Sequence, residues 1–268
     1  WHEAATEIKN RMLNDGKFRL IEDGHLIKRR TLDGRWQRHM VPPNRNNIPP
    51  GSPLATEDRP ECDPDTVTVM PIVFEMIDPQ GELSRKTLEW VEQLWNQRWD
   101  FGGYSRYNVS SEPDPPAPWP LASLFVARAY VEAGNSEKAW RVINWLYALH
   151  GGRPGAWFER YGSSITPPSP PVGIVGWTWA EITGLIVHHI MGFRPALDDL
   201  VIRPKLLKGI DEMHGRFRVR AFDIDLILYR RKQEPFAVVN GTRMPIEKSE
   251  LTLPYPKRGR RLKIEMYV

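Results

Sequence analysis

The chain has 268 residues, of which 41% are hydrophobic and 26% charged, a balance that supports a buried core and excludes wholesale disorder. A formal net charge of +4 gives weak attraction for anions without amounting to a nucleic-acid signature. No apolar run nears the ~20 residues needed to cross a bilayer, and the single cysteine, Cys62, excludes an internal disulfide and a four-cysteine zinc site.

The chain opens Trp1-His2-Glu3, with neither Met nor a leader pattern, and is expected to be processed, trimmed or partial. In chain order, Ala4–Asn14 sets Ile8, Met12 and Leu13 on one helical stripe. Residues Phe18–Leu32 read as a β-hairpin turning at Asp23-Gly24, and Val41–Pro64 as a long Pro-, Asn- and Gly-rich loop. Helices are expected over Thr66–Met76, with Pro71 as a weak point, and over Ser84–Trp99. Leu121–Ala133 and Ser136–Leu149 form a helical hairpin across Gly134-Asn135, and Trp179–Met191 is a further helix ended by Gly192. From about Arg194 the pattern turns to β: Leu200–Ile202, Arg216–Phe222, Ile224–Tyr229, Phe236–Val239, a turn at Asn240-Gly241, and Leu262–Tyr267. The expected division is a helical domain over residues 1–195 and an all-β module over 196–268.

Two inter-helix loops gather aromatic, cationic and carboxylate side chains. The first runs Gly102-Gly103-Tyr104-Ser105-Arg106-Tyr107, then Glu112, Asp114 and Pro118-Trp119-Pro120. The second runs Ala156-Trp157-Phe158-Glu159-Arg160-Tyr161, followed by a Pro-rich stretch and Gly176-Trp177-Thr178-Trp179-Ala180-Glu181. The 11 tryptophans supply flat amphipathic rings suited to sugar faces as well as to a core. Carboxylates beside such rings suit acid–base work, and an arginine can hold hydroxyls or a carboxylate. His188-His189 diverge on their helix and read as packing residues, while Asp63-Pro64-Asp65-Thr66 reads as a helix cap more readily than as a calcium contact. No phosphate-binding loop, dinucleotide fingerprint, zinc-protease motif or serine-nucleophile elbow is present.

The order Arg106-Tyr107, Pro118-Trp119, Phe158-Glu159-Arg160 and Trp177-Thr178-Trp179-Ala180-Glu181 resembles the C-terminal half of the six-hairpin, (α/α)6-toroid glycosidases. The likeness is nearest to the glucoamylase-like glycoside hydrolase family 15. The run Gly192-Phe193-Arg194-Pro195 to Leu200-Val201-Ile202-Arg203-Pro204 resembles the point where related enzymes leave the toroid for a β-sandwich. The resemblance implies a mainly α fold: an (α/α)6-toroid, here about six helices and so its C-terminal half, followed by a small C-terminal β-sandwich.

It also implies a glycosidase that inverts the anomeric centre, with two carboxyls roughly 6.5–9.5 Å apart. Glu159 falls where the family keeps the general base that activates water. Arg106, Tyr107, Trp119, Trp177 and Trp179 fall on the terminal-sugar subsite. Arg160 beside the base departs from the family pattern and points to an anionic substrate such as a uronic acid. The first loop also departs, closing Pro-Ala-Pro-Trp rather than Gly-Asn-Pro-Trp, and the family's general acid lies upstream of the matched region. Glu112, Asp114 and Glu181 are the in-chain candidates for that acid. The expected partners are an oligosaccharide or glycoside and an upstream half of the same enzyme, with no cofactor, metal, nucleic acid or membrane. Three other readings stay open: a glycoside phosphorylase, a catalytically silent carbohydrate-binding fragment, and a polyanion-binding module using the Arg-rich strands. The lone free cysteine leans toward a cytoplasmic location.

Overall fold

The Asp23-Gly24 signal forms a turn where expected, and it joins two short strands, β1 (Ile21–Glu22) and β2 (His25–Leu26), with Ile21 opposite Leu26. The computed structural model describes residues 1–39, 61–97, 102–108, 117–161, 173–231 and 234–268. Most of the predicted loop Val41–Pro64 therefore lies outside the described residues. The chain divides into two units, Trp1–Glu181 and Ile182–Val268.

In the first unit, α1 (His2–Asn14) buries no residue. The predicted helix Thr66–Met76 is instead a 3-10 turn, Thr66–Val69, running into one α-turn, α2 (Met70–Val73). Pro71 sits in the first turn of α2, where its missing N–H costs nothing, so it starts a new turn rather than continuing the old one. Asp65 caps the 3-10 turn by accepting a bond from the Val67 N–H. The helix predicted over Ser84–Trp99 spans only Glu82–Val91 (α3). It tightens into a 3-10 turn, Glu92–Leu94, after which Trp95 is extended and pairs with Tyr104.

The helical hairpin is α4 (Pro120–Glu132) and α5 (Ser136–Ala148). Helix α4 is apolar almost all round and is buried along its length, from Leu124 and Val126 to Tyr130. Helix α5 is two-faced: Ala139, Val142, Trp145 and Leu146 are buried, and Asn135 caps it through the Lys138 N–H at 3.0 Å. The helix predicted over Trp179–Met191 begins earlier, as α6 (Gly176–Thr183), and then widens into a π-helical stretch, Gly184–Ile190.

The second unit carries two sheets. One has three strands in the order β3 (Phe193–Pro195), β4 (Asp199–Ile202), β9 (Leu251–Pro254). The other has five, in the order β5 (Glu212–Val219), β6 (Phe222–Tyr229), β10 (Arg260–Tyr267), β7 (Phe236–Val239), β8 (Thr242–Pro245), with β6 and β10 parallel and the other neighbours antiparallel. Phe222, Ile224, Leu226 and Leu228 are buried beside Leu262, Ile264 and Met266, as the period of two requires. Phe193 of β3 stacks on Phe217 of β5, with ring centroids 4.2 Å apart. The predicted strand Arg216–Phe222 runs across a turn at Arg220-Ala221 that separates β5 from β6. Arg220 takes a positive φ there with no glycine to announce it.

These elements overturn the expectation of a mainly α toroid. Of the described residues 34% are helical and 27% are extended, in three sheets and only six α-helices. Three of those helices are of ten residues or fewer, and no closed ring of paired helices is present among the described residues.

Candidate functional site

The first loop is held as extended backbone beside the start of α4. The Trp119 N–H donates to the Tyr104 carbonyl at 2.8 Å, and Ser105 pairs with Pro118. Gly103 has a φ of +79°, and a Cβ there would lie 2.3 Å from a Trp145 ring atom, so the loop approaches α5 as closely as it does only because it carries glycine. Beyond Ser105 the chain presents Arg106 to solvent. Its guanidinium carbon lies 5.5 Å from the Tyr107 ring centroid and 5.4 Å from that of Trp119. Trp119 is 7% exposed, so it backs Arg106 as a buried wall rather than as an open stacking face.

The backbone of Arg106–Asn108 is clamped from below. The Thr66 N–H and hydroxyl both donate to the Arg106 carbonyl, at 3.0 and 2.8 Å, Asp65 pairs with Tyr107, and the Asn108 amide donates to the Asp63 carbonyl at 2.7 Å. Asp63 and Asp65 are both buried. Asp63 accepts from the Lys28 N–H at 3.0 Å and from the Trp36 ring N–H at 2.9 Å; Asp65 pairs with the Lys28 ammonium at 2.5 Å. Burial pushes the Asp63 carboxyl up, against the bonds from Trp36 and Lys28. Lys28 and Trp36 carry no local motif and were not among the predicted site residues; their partners lie far away in sequence.

The second loop is tied to the first. The Tyr161 N–H donates to the Pro118 carbonyl at 2.9 Å. The Trp157 ring N–H donates to the Leu146 carbonyl at 2.9 Å, its ring meets that of Trp179 edge-on at 5.3 Å, and the Val175 N–H donates to the Trp157 carbonyl at 3.3 Å. Gly155 lies under the Trp179 ring, where a Cβ would come within 2.3 Å of it. Trp177 and Trp179 remain 41% and 50% exposed at the start of α6. Glu159 and Arg160 are half-buried on the intervening turn, where Phe158 pairs with Ile174, and the Glu159 carboxylate makes no hydrogen bond or ion pair with another described residue.

The structure thus brings together Arg106, Tyr107 and Trp119 on one side, and Trp157 with Trp179 on the other; the Glu159 turn is bonded to the first group through Tyr161. Among the candidates for a general acid, Glu181 is ion-paired with Arg128 at 2.5 Å, while Glu112 and Asp114 lie outside the described residues. A second polar cluster has a different character. Glu92 accepts from Arg141, Lys138, Tyr104 and Tyr130, with Arg141 stacked 3.7 Å from the Trp95 centroid. Burial opposes the charge on Glu92, but these donors outweigh it and hold the carboxyl down at about 2. All of its oxygens are committed, which suits a structural hub. No helix among the described residues is long and apolar enough to cross a membrane.

No protein-family model and no curated protein matches the chain. Among solved structures, a wild-type glycosidase aligns with 70% of this chain and 43% of its own, at 16% identity and a TM-score of 0.43. A sialidase aligns with 55% of this chain and 16% of its own, at 14% identity and a TM-score of 0.38. The chain therefore spans less than half the length of these proteins. Likeness at this level carries no argument about what the chain does.

Proposed function

We propose that the chain carries part of a glycoside hydrolase site in which Glu159 is the general base. The observation that carries the reading is the bonded series of extended segments: Ser105 pairs with Pro118, and Pro118 accepts from Tyr161. That series draws Arg106, Trp119 and the Glu159 turn toward one another although they are far apart in sequence. A carboxylate left without a partner among the described residues, on a half-buried turn between aromatic side chains, is available to take a proton. Exposed Trp177 and Trp179 offer faces for a pyranose ring, and Arg106, Tyr107 and Arg160 offer donors for its hydroxyls or for a carboxylate.

In the proposed step water attacks the anomeric carbon and gives its proton to Glu159, while the bond to the leaving oxygen breaks. The attack comes from the face opposite the departing group, so the configuration inverts. The proton for the leaving oxygen comes from a group outside the described residues. The α- and β-fluorides of glucose, galactose and mannose test the base separately, because fluoride departs without protonation. Fluoride release with a product anomer opposite to the substrate's, read by proton NMR, supports the reading. Sugar binding with no fluoride release points instead to the silent carbohydrate-binding fragment.

A further inference from the structure

From its contacts we infer that Tyr161 is the positioning residue of this site: it fixes the Glu159 turn at both ends and sets where the carboxylate stands. The inference rests on the reading of Glu159 as base. Tyr161 is only 2% exposed, so its hydroxyl is not a substrate contact. That hydroxyl accepts from the Phe158 N–H at 3.0 Å, on the residue just before Glu159, and donates to the His150 carbonyl at 3.1 Å, at the end of the preceding hairpin. Its backbone N–H, two residues after Glu159, donates to the Pro118 carbonyl at 2.9 Å, next to Trp119. The ring is held edge-on by Phe158 at 5.9 Å and by Trp145 at 6.5 Å.

The buried side chain thus closes the four-residue turn Phe158–Tyr161 on itself and anchors it to the helical hairpin, while the backbone N–H of the same residue ties it to the Arg106–Trp119 group. A phenol does this because a hydroxyl accepts and donates at once. Without the hydroxyl, the Phe158 N–H loses its acceptor and the turn loses its bond to His150, leaving the Pro118 link at one end and the Phe158–Ile174 pairing at the other. A displacement of about 1 Å at a reacting group costs on the order of a hundredfold in rate.

The test is Tyr161→Phe, which keeps the ring and removes the two bonds of the hydroxyl. With glycosyl fluoride as the probe, kcat is expected to fall at least about tenfold with KM within about twofold, because the base is misplaced while the sugar contacts remain. Amide exchange at Phe158 is expected to accelerate by at least about tenfold, reporting the released turn. In a Glu159→Gln background, Tyr161→Phe should cause no further fall in kcat. An unchanged kcat, or an equal fall in the Glu159→Gln background, overturns the positioning role. A Glu159→Gln protein as active as the parent would instead sink the base assignment itself, and a parent that releases no fluoride would remove both.

Discussion

Replacing Glu92 by glutamine tests how the helical unit is held together. The ordinary value of the carboxyl is 4.5 and its folded value is about 2, the donors from Arg141, Lys138, Tyr104 and Tyr130 having overcome the burial cost. At about 1.4 kcal/mol per pH unit, that separation is worth about 3 kcal/mol when the carboxyl is ionised in both states. Glu92 is 26% exposed, so solvent screens it only in part. The sign follows from the depressed value. The stabilisation is complete above about pH 4.5 and is lost as the pH falls through about 2. Urea unfolding of the parent and of Glu92→Gln, each at pH 7 and pH 3, isolates the term, because every other titration appears in both proteins. The expected deficit is about 3 kcal/mol at pH 7 and about half of that at pH 3. A deficit below about 1 kcal/mol at pH 7, or one identical at the two pH values, would refute the reasoning.

Two further predictions concern the elements that carry the site. Gly103→Ala combines a φ of +79° with a Cβ set 2.3 Å from the Trp145 ring, so thermal melting should show a loss of about 2 kcal/mol or more; a neutral result would mean that the first loop does not sit against α5 as described. Asn135→Ala removes the side-chain cap on the Lys138 N–H and should cost about 1 kcal/mol in urea unfolding, with Asn135→Ser restoring most of it.

The parts legible in the sequence were those governed by local rules. The α4–α5 hairpin follows from apolar periodicity interrupted by Gly134-Asn135, and the β1–β2 turn from Asp23-Gly24. Element ends differ from the sequence pattern where neighbouring structure decides them: Trp95 leaves its helix to pair with Tyr104, and Arg220 turns the chain without a glycine or asparagine. The fold class departs from the expected toroid for a related reason. The motifs around Arg106, Trp119 and Glu159 are short loops, and loops do not count helices, so a resemblance resting on them says little about the scaffold. The grouping of Arg106, Tyr107 and Trp119 could be anticipated from their loop, since all three flank one helix start. The buried supports behind them could not. Trp36 and Lys28 meet Asp63 across long stretches of chain, and burial rather than pattern makes that contact valuable.

The central claim concerns the carboxylate at position 159, and its most direct test is Glu159→Gln assayed on glycosyl fluorides with and without sodium azide. Loss of the base is expected to reduce fluoride release by about 10²- to 10⁴-fold while sugar binding persists. Azide needs no deprotonation to attack, so it should restore turnover and yield a glycosyl azide of inverted configuration. Undiminished fluoride release by Glu159→Gln, or a residual rate that azide leaves unchanged, would contradict the assignment.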